Sequence, residues 1–170
     1  DEHMSGALEY VVSIDYGTVN PFSAGLWAFD GKYSQREAEL YYNSREVGKR
    51  VDDEAYYKML KELIGDRKVS CIIIDPSAAS FIEVIKKYGE YTVRKADNDV
   101  LDGIRVVTTM LNKGLLKIYK DCTSCINEFG LYCWDEEKNN DTVIKENDHV
   151  MDDTRYYVYT FLRRRLRWKY

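Results

Sequence analysis

Two prolines and ten glycines are all the chain breakers that 170 residues contain, against fifteen tyrosines and five phenylalanines. Disordered segments have the opposite balance, so a long unstructured stretch is excluded. No apolar run approaches the roughly 18–20 residues that a bilayer crossing needs, and no membrane span is expected. The first residues, Asp1 to Leu8, lack the basic start and apolar stretch of a signal peptide. Their His3-Met4-Ser5-Gly6 run reads as a cloning remnant, leaving residues 9–170 as one expected domain without repeats or linker. Histidine is nearly missing, at two residues, and cysteine is limited to Cys71, Cys122, Cys125 and Cys133. Cys122 and Cys125 have the C-x-x-C spacing of half a zinc site, but no second pair or histidine pair follows. They are expected to be apolar thiols on a helix, kept reduced in a cytoplasm. A G-x-x-x-x-G-K-[ST] phosphate loop is also lacking.

What is present fills one core: 45% of the residues are apolar. The net charge of −4 does not exclude a nucleic-acid substrate, because carboxylates gathered for cations make a domain acidic until the cations bind. Arg163, Arg164, Arg165, Arg167 and Lys169 cluster near the C-terminus. They suit phosphate contacts and, equally, the last turn of a helix.

Glu9 to Asp15 is short and nearly all apolar before its last residue, as a strand buried on both faces would be. Ser23 to Phe29 and Glu37 to Tyr42 read as two more strands around a Gly31-Lys32 turn, completing an antiparallel meander. Tyr56, Met59, Leu60, Leu63 and Ile64 then follow helical spacing, with Asp52 or Asp53 as cap and Gly65 as stop. Cys71 to Asp75 is a buried strand ended by Pro76. The next helix is expected to start with a Ser80/Glu83 capping box, turn Ile82 and Ile85 inward and end at Gly89. Tyr91 to Arg94 reads as a short strand. Val100, Ile104, Val107 and Leu111 mark a helix closed by Gly114. Leu115 to Tyr119 is extended, and Thr123 to Tyr132 helical. Trp134 to Thr142 is polar and acidic, a hairpin loop or a mobile segment. A last helix runs from Asp148 with Met151, Arg155, Val158 and Leu162 along one stripe. This order predicts an α/β fold, a mixed sheet flanked by helices.

Three carboxylates stand out by position. Asp15 and Asp75 end buried strands, where an unpaired charge is costly, and Asp152 lies one turn into the last helix. His149, three residues before Asp152, and Asp148, four before, share its helix face. Asp148 also suits a helix cap, Asp75 before proline suits a turn, and Asp153 suits a solvated neighbour. Oxygen-rich sets of this kind suit Mg²⁺ or Mn²⁺. Two such ions about 3.5–4 Å apart hydrolyse phosphodiesters.

Taken together, five segments resemble the motifs of the nuclease domain of phage terminase large subunits, over about Glu9 to Tyr159. They are Ile14-Asp15-Tyr16-Gly17-Thr18, Ile74-Asp75-Pro76-Ser77-Ala78, Asn98-Asp99-Val100-Leu101-Asp102-Gly103-Ile104, Tyr132-Cys133-Trp134-Asp135 and the stretch from Lys145 to Tyr156. The resemblance implies a ribonuclease-H-like fold and a nuclease cutting concatemeric double-stranded viral DNA in the cytoplasm of the infected bacterial host. It implies Asp15, Asp75 and Asp152 as ligands of two Mg²⁺ or Mn²⁺ ions, with His149 beside them as ligand or proton handler. Lys145 is the candidate for a DNA phosphate, and the acidic Trp134–Thr142 loop for control of DNA access. In the full-length family member an ATPase motor precedes this domain, and the small terminase subunit and portal are partners. The chain departs from the motif at Asp153, where a small residue is usual. Alternative readings are another nuclease on the fold, such as a junction resolvase, an actin-like ATP-handling domain suggested by Asp15-Tyr16-Gly17-Thr18, and a noncatalytic interaction module.

Overall fold

The computed structural model describes residues 2–17, 21–129 and 149–167. Strand alternation sorts the side chains into two layers. In β1 (Glu9–Asp15), Val12 and Ile14 join one apolar cluster, while Val11 joins another across the sheet, with Ser13 and Asp15 on its side. β2 (Phe22–Phe29) is buried along its whole length and divides in the same way. β1 pairs antiparallel with β2, and β2 with β3 (Ser34–Tyr42), which is the expected meander.

β3 is two layers in one strand. Trp27 pairs with Arg36 and Leu26 with Ala38, so Glu37 is an extra residue in the ladder. Such a bulge reverses the side-chain parity. Before it, Ser34 and Arg36 point to the Val11 side; after it, Ala38, Leu40 and Tyr42 point to the Val12 side. The strand therefore starts three residues before the expected Glu37. The alternation is broken there, which hides the first half of the strand from a period-two reading.

A short helix α1 (Ser44–Val47) and α2 (Asp53–Ile64) follow. Asp52, rather than Asp53, caps α2 by accepting the Ala55 N–H. β4 (Val69–Ile74) returns parallel to β1, then α3 (Ala79–Tyr88) leads to β5 (Val93–Lys95), parallel to β4. The expected Ser80/Glu83 capping box is not formed. Ala78 is the cap residue and gives no side-chain bond; the Asp75 turn already engages the Ser77 and Ala78 N–H groups and starts the helix early.

In α4 (Val100–Asn112), capped by Asp99, the buried residues are Gly103, Val106, Val107 and Met110. The inward face is thus rotated from the expected Val100-Ile104-Val107-Leu111 stripe, and Val100 is exposed. Helix–helix contact with the last helix, rather than the sheet alone, selects the face.

β6 (Leu116–Ile118) adds to β3 in parallel, giving the sheet order β5-β4-β1-β2-β3-β6. A helical segment, α5 (123–129), precedes the final helix α6 (His149–Tyr157), which continues through a π-helical turn at Val158–Leu162 into α7 (Arg163–Arg165). The expected stripe of Met151, Arg155, Val158 and Leu162 is buried, but so is nearly everything else: from Val150 to Leu162 only Asp152 keeps some exposure. A helix buried all round sits inside its layer, not on it. α2 and α3 cover the Val12 face; α4 and α6 cover the Val11 face. Residues 2–8, expected to be a remnant, lean on the β3 edge: the Met4 N–H donates to Glu37 (2.8 Å), and His3 stacks on Tyr119.

Among the described residues no helix is long and apolar enough to cross a membrane. Cys122 and Cys125 are buried, and burial pushes both thiols up to about 12. Asp148, Lys145, Cys133, Lys169 and the Trp134–Thr142 loop lie outside the described residues.

Candidate metal centre

β1 and β4 are parallel neighbours in register at Ile14 and Ile74, so Asp15 and the residue following β4, Asp75, stand side by side at one sheet edge. Parity turns both toward α6. The N-terminal turn of α6 crosses that edge, and His149 Nδ1 lies 2.9 Å from Asp15 Oδ2. Further along the same helix, the buried Tyr156 hydroxyl donates to Asp75 Oδ2 at 3.1 Å. Burial raises the Tyr156 phenol, and the charges of Asp15, Asp152 and Asp75 raise it further. One hydroxyl thus senses all three carboxylates singled out in the sequence.

Each carboxylate is also engaged by the protein. The Ser77 N–H donates to Asp75 Oδ1 (2.8 Å). Burial alone would raise the Asp75 carboxyl, but the Ser77 bonds, the Tyr156 hydroxyl and the Arg155 charge outweigh it and hold it below its ordinary range. Arg155 donates to Asp152 Oδ1 (3.0 Å) and to Asn98 Oδ1 (2.7 Å), and Asn98 reaches Asp75 Oδ2 at 3.4 Å. The Arg155 stem fits because α4 carries glycine opposite it: a Cβ on Gly103 would lie 2.5 Å from Arg155 Cγ.

Asp153 does something different from its neighbour. It is fully buried and accepts from Ser13 (3.0 Å), Ser23, and both terminal nitrogens of the buried Arg36. A carboxylate has about four acceptor sites, and four donors fill them. Burial pushes the Asp153 carboxyl up against the pull of Arg36 and the serines; the guanidinium stays charged. Asp153 is therefore a core ion-pair partner, not the solvated neighbour expected. Glu128 on α5 accepts the Met151 N–H (2.9 Å), satisfying one donor at the open end of α6.

The C-terminal basic cluster is partly committed to the fold. Arg165 grips Glu9 with two 2.8 Å bonds, and Glu9 begins β1, at the opposite end from Asp15. Arg163 and Arg164 approach Asp97 at 3.8 and 3.7 Å. This is a helix end tied to its neighbours. Sequence reasoning misses Arg36, Asn98 and Tyr156 as residues of the site. Asn98 and Tyr156 are within its reach, since both lie inside the motif segments; Arg36 lies in the half-strand concealed by the bulge.

Residues 12–160 match the family model described as the terminase RNaseH-like domain. The chain belongs to that family. It is 26% identical to the terminase large subunit of Escherichia phage T5 over 164 residues, covering 92% of this chain and 36% of that protein. The large terminase of a thermophilic bacteriophage superimposes with a TM-score of 0.82 at 39% identity, covering 91% of this chain and 40% of the other. The chain thus spans about two fifths of the length of these relatives. The nuclease domain of the SPP1 bacteriophage large terminase, whose structure holds Mn, superimposes with a TM-score of 0.61 at 18% identity, covering 89% of this chain and 86% of that domain. The ribonuclease-H-like mixed sheet expected from the motifs is the observed fold.

Among the described residues no group of three or more His, Cys, Asp or Glu side chains closes around a single point as a coordination shell. The donor chemistry nevertheless suits a hard divalent cation: oxygen donors from two strand ends and a helix, all within the field of one phenol. His149 lies against Asp15, and Arg155 forms an ion pair with Asp152.

Proposed function

We propose that this chain is the nuclease domain of a phage DNA-packaging enzyme, a divalent-metal-dependent endonuclease that cuts concatemeric double-stranded DNA. The observation that carries the reading is that the neighbouring strand-end carboxylates Asp15 and Asp75 are both reached from one helix, by His149 and Tyr156 of α6. Family membership and the Mn held by the SPP1 domain support it.

Asp15, Asp75 and Asp152 would hold two Mg²⁺ or Mn²⁺ ions; bound ions of this kind lower the pKa of water and stabilise a leaving oxygen. The chain's own residues do the rest. Tyr156 and the Ser77 N–H orient Asp75, and the depressed pKa of Asp75 keeps it ionised and ready to bind a cation. His149 sits on Asp15 at the rim, where it can take or give a proton. Arg155 steadies Asp152 and ties it to Asn98. In the full-length protein an ATPase motor domain would accompany this one, with the small terminase subunit and portal as partners, and Lys145 and Asp148 are further candidate contributors.

The test is cleavage of supercoiled plasmid with Mn²⁺, Mg²⁺ or chelator, beside Asp75→Ala. Metal-dependent cutting that disappears in a folded Asp75→Ala variant is expected. A folded chain that neither cuts nor binds Mn²⁺ overturns the proposal.

A further inference from the structure

α6 is apolar or buried on almost every side, and apolar burial is non-directional. Hydrophobic packing alone does not choose between rotational settings of such a helix, yet a setting displaced by one residue, about 100°, would turn Asp153 to the sheet edge and Asp152 into the core. Among the directional contacts of α6, those of Asp153 span three strands, reaching Ser13 on β1, Ser23 on β2 and Arg36 on β3. We propose that the buried Arg36–Asp153 pair is a positioning device, clamping α6 to three strands so that His149 and Asp152 face the Asp15–Asp75 edge.

The spacing supports this. α6 runs against β1, with His149 on Asp15 and Asp153 on Ser13. Four helical residues advance about 6 Å, and two strand residues about 7 Å. Clamp and candidate ligand contact are therefore adjacent rungs of one helix–strand register. One further turn along, Tyr157 stacks flat on Trp27 (4.4 Å) and bonds Ser34, while the Trp27 Nε1–H donates to the clamping Ser13 hydroxyl (2.9 Å).

Two sequence features admit the pair. The Glu37 bulge turns Arg36 to the α6 side. Gly25 leaves room for it, since a Cβ there would overlap the Arg36 guanidinium. A buried ion pair is a poor source of stability compared with apolar residues of similar volume, so such provisions fit a device for setting geometry. The role in the metal centre rests on the function proposed above, and the experiment separates the two.

The test is the double variant Arg36→Met/Asp153→Ala, which removes both charges together, with Asp153→Asn as a milder second variant that keeps the shape. In metal-free protein, the imidazole resonances of His149, one of only two histidines, report the His149–Asp15 contact. Calorimetry then reports Mn²⁺ affinity. We expect the folded double variant to shift the His149 resonances and to lose roughly tenfold or more in Mn²⁺ affinity, with Asp153→Asn moving both in the same direction by less. A double variant that melts cooperatively with His149 and Mn²⁺ affinity unchanged overturns the proposal. If the double variant does not fold, unchanged values in folded Asp153→Asn overturn it. If the unsubstituted chain binds no Mn²⁺, the metal-centre reading fails by itself and the His149 resonances alone decide the positioning role.

Discussion

On the α2–α3 face of the sheet, Val12, Ile14, Leu26, Ile72 and Ile74 meet Tyr56, Leu60, Phe81 and Ile85 in a cluster of apolar and aromatic side chains. On the α4–α6 face, the strand positions beside the site carry Ser13, Ser23 and Arg36, and the helix answers with Asp153 and Tyr157. Both faces are buried, but among the described residues only the second holds a fully buried ion pair, Arg36–Asp153. The first face tolerates small shifts, because dispersion and hydrophobic burial vary smoothly with position. The second does not, because a displaced hydrogen bond in the interior leaves an unsatisfied polar group. The candidate site belongs to the second face, whose geometry is held by bonds rather than by volume.

The contrast can be broken from either side. The largest loss of stability is expected from Phe81→Ala on the apolar face, about 3–5 kcal/mol, read by denaturant unfolding. Mn²⁺ affinity of the folded fraction should stay unchanged; a parallel loss of affinity would show that the two faces are not separable. Gly103→Ala should cost less, about 1–3 kcal/mol from overpacking against Arg155, yet reduce plasmid cleavage roughly tenfold by moving the residue that steadies Asp152. Lost stability with full cleavage would remove Arg155 from the site's support.

The smallest effect is a change of pH profile. Burial pushes the Glu128 carboxyl from its ordinary value near 4.5 up to about 8, against the Met151 and Val150 N–H bonds; Asp153 raises it further, and His149 lowers it. Because the folded state holds this proton more tightly, the stabilisation is complete below about pH 4.5 and is lost as pH rises through about 8. Glu128→Gln should flatten that part of the melting-temperature profile between about pH 5 and 8, and an unaltered slope would assign the trend to another group.

Legibility from sequence follows physical regularity. The meander, the two parallel strands and the placement of Asp15 and Asp75 at strand ends are readable because apolar alternation is local. The neighbourhood of those ends is not local, and comes from the motif resemblance. Arg36 is concealed because a one-residue bulge changes the period halfway along β3. Asp153 stands out as a departure from the motif, but its partner lies 117 positions away, beyond any spacing rule. Ser80 and Glu83 have the capping spacing, yet the Asp75 turn has already begun the helix, a case of turn chemistry overriding a local pattern. The α4 stripe points to the wrong face by a rotation because it is read against the sheet, whereas Gly103 turns toward Arg155 on α6.

The His149–Asp15 contact closes a span of 134 positions, and the Asp153 clamp one of 140. Ordering such distant segments costs loop-closure entropy before any contact repays it, and contacts of this kind slow folding. A ribosome reading from the N-terminus releases Asp15 and Asp75 long before α6. During that interval the two acidic strand ends lack the helix that bridges them. The proposed metal site is therefore complete only once α6 has emerged, and a product truncated before α6 would lack Asp152, His149 and the clamp together.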